Sequence, residues 1–131
     1  MTWNLFIDDE RNPGDVTWAP WQVSLKYKTQ EWVVFRSVID AVVYMSDERS
    51  FPQFISFDHD LGNDVETGYD FAKILVEDAL TYPEIAEFQF PDNFDFYVHS
   101  MNPIGKVNIE SLLNNYLKHV DNNYLKRVDK R

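Results

Sequence analysis

Three apolar runs in this 131-residue chain each end in side chains able to bind metal or move protons. Trp3 to Ile7 runs into Asp8 and Asp9, Phe54 to Phe57 into Asp58, His59 and Asp60, and Phe94 to Val98 into His99 and Ser100. Carboxylates gathered at the tips of buried elements repel one another and lose hydration, so a cation, a proton or a ligand is needed to offset that cost. If Asp8, Asp9 and Asp58 converge, a hard divalent ion, Mg²⁺ or Mn²⁺, is the natural partner. An imidazole in the set shifts the choice toward Mn²⁺ or another transition metal. The chain has no cysteine, so such an ion would be held by carboxylate, imidazole or backbone oxygen. Any one of these strand ends also reads as a turn former or helix cap; the coincidence of three carries the argument. His59 and His99 are the candidate acid and base, because imidazole titrates close to neutral pH. His59, flanked by two carboxylates, reads as the acid toward a leaving alkoxide. His99 reads as a base, a metal ligand or a phosphate-orienting donor. Arg11, three residues past Asp8, reads equally as a bidentate phosphate clamp or as a partner of the carboxylates. His119 falls in the last helix and reads as a packing or surface residue.

For these ends to meet, their strands must lie side by side and point the same way. The pattern of periods supports this. Strands are expected at Trp3–Asp8, Glu31–Arg36, Phe54–Asp58 and Phe94–Ser100. A helix capped by Ser37 should turn Val38, Ile39, Val42 and Val43 to one face. A second, which Thr67 could cap, shows Phe71, Ile74, Leu75 and Ala79 at helical spacing and stops near Tyr82-Pro83. The last carries Ile109, Leu112, Leu113, Tyr116, Leu117 and Val120, with Asn102 or Asn108 at its start. Between the first two strands, Asn12 to Gln30 holds Pro13, Gly14 and Pro20 and no apolar stripe, and reads as a loop. Trp18, Trp21, Tyr27 and Trp32 read as a satellite core under that loop rather than a base-stacking surface. The alternation predicts an α/β fold with an open, mainly parallel, flavodoxin-like sheet of about four strands flanked by helices, the first crossover helix replaced by a loop. In such sheets ligands sit beyond the carboxyl ends of the strands.

Composition bounds the function. At 44% hydrophobic the chain suits one domain over residues 1–131. Twelve basic against 22 acidic residues, a net charge of −10, repel a phosphate backbone and argue against an extended nucleic-acid partner. The one basic segment, with Lys126, Arg127, Lys130 and Arg131, reads as cations at a helix end or tail. No apolar run approaches the roughly 20 residues needed to cross a bilayer, and the first residues lack a basic leader segment. A soluble cytoplasmic protein without a membrane partner is expected; its oligomeric state is not readable.

The blocks LFIDDERNP, FISFDHDLGNDVETGYDFAK and VHSMNPIGKVNIESLLNNY together resemble the cyclic-phosphate processing receiver-like domains, a family of bacteria and phages. The resemblance spans the chain from first strand to last helix. It implies a fold similar to response-regulator receivers and action on a cyclic phosphate, such as a cyclic nucleotide or a cyclic-phosphate end from RNA or ADP-ribose chemistry. If the protein is phage-borne, its site of action would be the host cytoplasm. By resemblance, Asp8 and Asp9 match the acidic pair of receivers, Asp58 their phosphate-accepting aspartate, and His99 or Ser100 the hydroxyl residue after the fourth strand. The fifth strand and its phosphate-contacting lysine are not visible. The expected function is a metal-dependent phosphoesterase, with the ion on Asp8, Asp9 and Asp58, His59 or His99 as acid and base, and Arg11, Ser100, Asn102 and the Gly105 backbone holding the phosphate. The alternatives are a binder that sequesters a cyclic nucleotide uncleaved and, third, a receiver phosphorylated on Asp58.

Overall fold

The computed structural model of the protein describes residues 2–129, with side chains through residue 121. Four strands, β1 (Asn4–Ile7), β2 (Val33–Phe35), β3 (Phe54–Phe57) and β4 (Asp95–Val98), form one sheet in the order β2-β1-β3-β4. Every pairing is parallel, with Ile7 beside Phe35 and Phe57, and Phe57 beside Val98. The expected open parallel sheet is present, and among the described residues no fifth strand follows β4. Backbone bonds from Asp8 N to Phe35 O, Asp58 N to Ile7 O and His99 N to Phe57 O carry the ladder one residue past each strand. That extension brings the three chemical tips to one edge.

Alternation along the strands divides the residues between two unequal cores. Leu5, Ile7, Phe35, Ile55, Phe57 and Val98 face the larger one, which is completed by α2 (Val38–Glu48), α3 (Gly68–Thr81) and α4 (Pro103–Asp129). Phe6 faces the other side and packs with Val16, Tyr27, Val23, Trp32 and Val34.

The second core corrects the reading of Asn12–Gln30 as a loop. The segment contains a 3₁₀ turn (Pro13–Asp15) and a helix, α1 (Trp21–Thr29), entered through Pro20. No apolar stripe announces it, because its large apolar residues are divided between the two sides. Tyr27 is buried, whereas Trp21 and Leu25 are 72% and 51% exposed. Tyr27 and Trp32 thus belong to the satellite core, while Trp21 faces solvent and Trp18 lies outside that core, half-exposed.

The other helices follow their capping residues. Ser37 accepts a hydrogen bond from Asp40 N and starts α2, whose buried side is set by Val38 and Ala41. The expected face is rotated: Ala41 is fully buried, and Ile39 and Val43 are 70% and 51% exposed. Thr67 and Asp70 form a reciprocal capping box on α3. Thr67→Ala is therefore expected to lower unfolding stability by about 1 kcal/mol, measured by urea titration. Asn102 starts α4, its Oδ1 accepting from Ile104 N and Gly105 N at 3.1 and 3.0 Å. Asn108 lies inside that helix and is no cap. The side chains of Lys126, Arg127, Lys130 and Arg131 lie outside the described residues. Among the described residues no helix is long and apolar enough to cross a membrane.

Candidate functional site

Asp8, Asp58 and His99 each stand one residue beyond a strand, in phase with Phe6, Ser56 and Tyr97, so all three side chains emerge on the α1 side of the sheet. One ligand atom from each lies within 4.8 Å of the others, and all three residues are buried. The same alternation explains the absence of two expected members. Asp9 and His59 follow Asp8 and Asp58 by one position, and neither belongs to this group.

The two carboxylates are held differently. Asp8 Oδ1 accepts from Glu10 N and Arg11 N at 2.8 and 2.7 Å, and Oδ2 faces His99 Nε2 at 2.9 Å. Burial alone would favour the neutral acid, but the bonds from His99, Arg11 N and Glu10 N outweigh it and hold this carboxyl well below the usual carboxylate range. Asp58 has one backbone bond, from His59 N to Oδ1 at 2.8 Å. Burial, then the charge of Asp8, pushes its carboxyl up. A firmly ionised carboxylate beside a less supported one is a donor set suited to a hard cation. Asp8 and Asp58 supply oxygens, while His99 Nε2 is already directed at Asp8. Arg11 partly neutralises the pair, its Nη1 standing 3.4 Å from Asp8 Oδ2 and 4.0 Å from Asp58 Oδ2. Its guanidinium also lies over the Trp18 ring, 5.3 Å from the centroid, and stays part-exposed at the rim. Of its two expected roles, pairing with the carboxylates is the contact seen.

His59 belongs to a second constellation. Its Nδ1 is 3.0 Å from Asp60 Oδ1, and Asp60 Oδ2 accepts from Asn102 Nδ2 at 3.2 Å, tying the tip of β3 to the start of α4. The bonds from His59 and Asn102 lower the Asp60 carboxyl. Gly105 supplies space here, since a Cβ at that position would overlap the His59 ring. Its N–H is already given to Asn102. Ser100 is buried and its hydroxyl accepts from Asn102 N at 3.1 Å.

Four residues take part in the site in ways that the sequence reading does not assign them. Arg36, immediately after β2, donates to the carbonyls of Asp8 and Arg11 and to Asn12 Oδ1, fixing the loop that carries Asp8. Its place at the same strand edge was a usable signal. Trp18 donates to the carbonyl of His99 at 3.0 Å. Ser56 and Tyr27 form, with His99, a buried hydrogen-bonded chain: Tyr27 OH to Ser56 Oγ is 2.5 Å and Ser56 Oγ to His99 Nδ1 is 2.7 Å. Ser56 looked like one more residue of an apolar strand, and Tyr27 lay in the presumed loop. An open cavity of about 720 Å³ lies at the opposite edge of the sheet, between Asn4, Trp32, Gln53 and Asp95, away from the carboxylates.

Comparison with known proteins agrees with this fold. The family model of the cyclic-phosphate processing receiver domain matches residues 3–115. No curated protein and no solved structure gives a significant match.

Proposed function

Because the chain belongs to the cyclic-phosphate processing receiver family, we propose that it is a metal-dependent phosphoesterase opening a small cyclic phosphate, such as a cyclic nucleotide. The observation that carries this reading is the buried Asp8–Asp58 pair beside His99 at the carboxyl edge of the sheet. Asp8 and Asp58 would hold Mg²⁺ or Mn²⁺, which when bound supplies charge stabilisation to a phosphoryl oxygen and an activated water. Arg11, part-exposed above both carboxylates, orients the phosphate. His59 is held through Nδ1 by Asp60, which leaves Nε2 for proton donation to the leaving alkoxide. Ser100 and Asn102 shape the wall behind it.

A second reading is favoured by one feature. The imidazole inside the cluster, His99, is fully buried with both ring nitrogens engaged, so it offers no free base to a substrate. A site of that kind suits binding without cleavage. Incubation of the protein with a panel of cyclic phosphates and Mg²⁺ or Mn²⁺ separates the readings. A linear phosphomonoester is the expected product. Release of unaltered ligand from a stoichiometric complex would replace catalysis by sequestration, and neither product nor complex with any member would overturn both.

A further inference from the structure

The chain Tyr27–Ser56–His99–Asp8 crosses the sheet through its smaller core, and every member is buried. Phe6 already fixes the plane of His99, the rings stacking at 4.5 Å with 5° between planes. The hydroxyls of Tyr27 and Ser56 add a direction.

That direction follows from satisfying each buried group once. Asp8 Oδ1 accepts from two backbone N–H groups and Oδ2 faces the Arg11 guanidinium, the donor set of a carboxylate, so the His99 nitrogen 2.9 Å from Oδ2 carries the proton between them. Nδ1 stands 2.7 Å from Ser56 Oγ, whose single proton is left for it because the Tyr27 phenol, partnered by Oγ, supplies its own; Nδ1 is the acceptor. Ser56 Oγ in turn accepts from the Tyr27 phenol. Burial pushes that phenol up, which keeps its proton in place. Running the chain the other way would set a bare Nε2 lone pair against a carboxylate. It would also leave the phenolic proton without an acceptor among the described residues, and both arrangements are costly away from water.

We infer that Tyr27 and Ser56 are positioning residues of the site: they fix His99 as an Nε2–H donor to Asp8, so that His99 orients a metal-binding carboxylate and is not itself a metal ligand. The inference rests on the proposed metal site only for its consequence, not for the state of the ring. Partners one step behind a ligand set its orientation and typically change metal affinity or activity by about 10–100-fold when removed.

Two readouts test it on the full chain. The first is long-range ¹H–¹⁵N correlation on histidine-labelled protein without metal; the chain has three histidines, which makes assignment direct. His99 is expected to show a slowly exchanging Nε2 proton and an acceptor-type Nδ1. Tyr27→Phe keeps the ring against Phe6 and Trp32 and removes only the hydroxyl. It should speed exchange of that proton and shift Nδ1, with Ser56→Ala shifting Nδ1 further. The second readout is Mn²⁺ affinity, expected to weaken by about 10-fold in Ser56→Ala and less in Tyr27→Phe. A proton on Nδ1 in the wild type, loss of the Nε2 proton on adding Mg²⁺, or His99 signals unchanged in Tyr27→Phe would each overturn the assignment. Absence of Mn²⁺ binding to the wild type with the expected ring signals would instead remove the phosphoesterase reading and leave the positioning of Asp8 standing.

Discussion

Replacing Asp58 by Asn is expected to abolish most of the stabilisation that a divalent ion gives the protein and to lower turnover of a cyclic phosphate by about two to three orders of magnitude, the scale of removing one group from a pre-organised electrostatic site. Saturating ion at a hundredfold excess over Kd should raise wild-type stability by about 2.7 kcal/mol. Asp58 and Asp8 are the two oxygen donors that converge, so the variant keeps half the charge and offers the ion only a neutral amide oxygen at position 58. Without metal the sign reverses. The folded state raises the Asp58 carboxyl through burial and the Asp8 charge. Its contribution to stability is fully present below the unfolded value near 3.8 and is lost as pH rises through the folded value. Near neutral pH the ionised group is therefore a cost, and metal-free Asp58→Asn should melt above metal-free wild type. The gap should close in acid. Asp8 behaves oppositely: its folded value is depressed, so its contribution is present above 3.8 and lost as pH falls toward the folded value. Melting temperatures of both proteins from acid to neutral pH, with and without Mg²⁺, check all of this. Equal metal gains in the two proteins would remove Asp58 from the ion's ligands.

The parts of this arrangement legible in the sequence were those written in short-range pattern. The apolar runs gave the strands, and their acidic or histidine tips gave the common edge, because parallel strands must end together. Asp8, Asp58 and His99 do meet. Whether Asp9 or Asp8, and His59 or His99, would point inward depended on strand phase, and phase is set by which side each strand turns to which core. That is a tertiary fact. Helix α1 escaped notice for a related reason: its one buried aromatic, Tyr27, is recruited by Phe6 and Ser56 from across the sheet, and its other large apolar residues are left outside. Arg36, Ser56 and Tyr27 act through partners 24 to 43 positions away, beyond any local window.

Two glycines next to the site should separate fold support from chemistry, and the larger effect belongs to Gly68. It opens α3, donating its N–H to the carbonyl of His59 at 2.8 Å. A Cβ there would run into the backbone carbonyl of Asp58. Backbone at the end of a central strand cannot rotate aside as a side chain can. Gly68→Ala must therefore push α3, with its buried Phe71, Leu75 and Val76, away from β3 or displace the tip that carries Asp58. A loss of about 3 kcal/mol, the upper part of the overpacking range, is expected, lowering Tm by roughly 10 °C. At Gly105 the same added methyl meets the His59 side chain: swinging the ring outward relieves the overlaps with Cγ and Cδ2, while Cβ at 2.8 Å calls for a small backbone shift as well. Gly105→Ala should then cost less stability than Gly68→Ala while lowering turnover, because His59 leaves its place beside Asp60 and Asn102. Gly14, with nothing within 4 Å of an added Cβ, is the control and should be near neutral in both measurements. Thermal melts and rates for the three variants decide between these roles. If Gly105→Ala retained full turnover with His59 displaced, proton donation would have to come from elsewhere; if Gly68→Ala melted like the wild type, the close approach of α3 to the Asp58 carbonyl would not be what holds the site together.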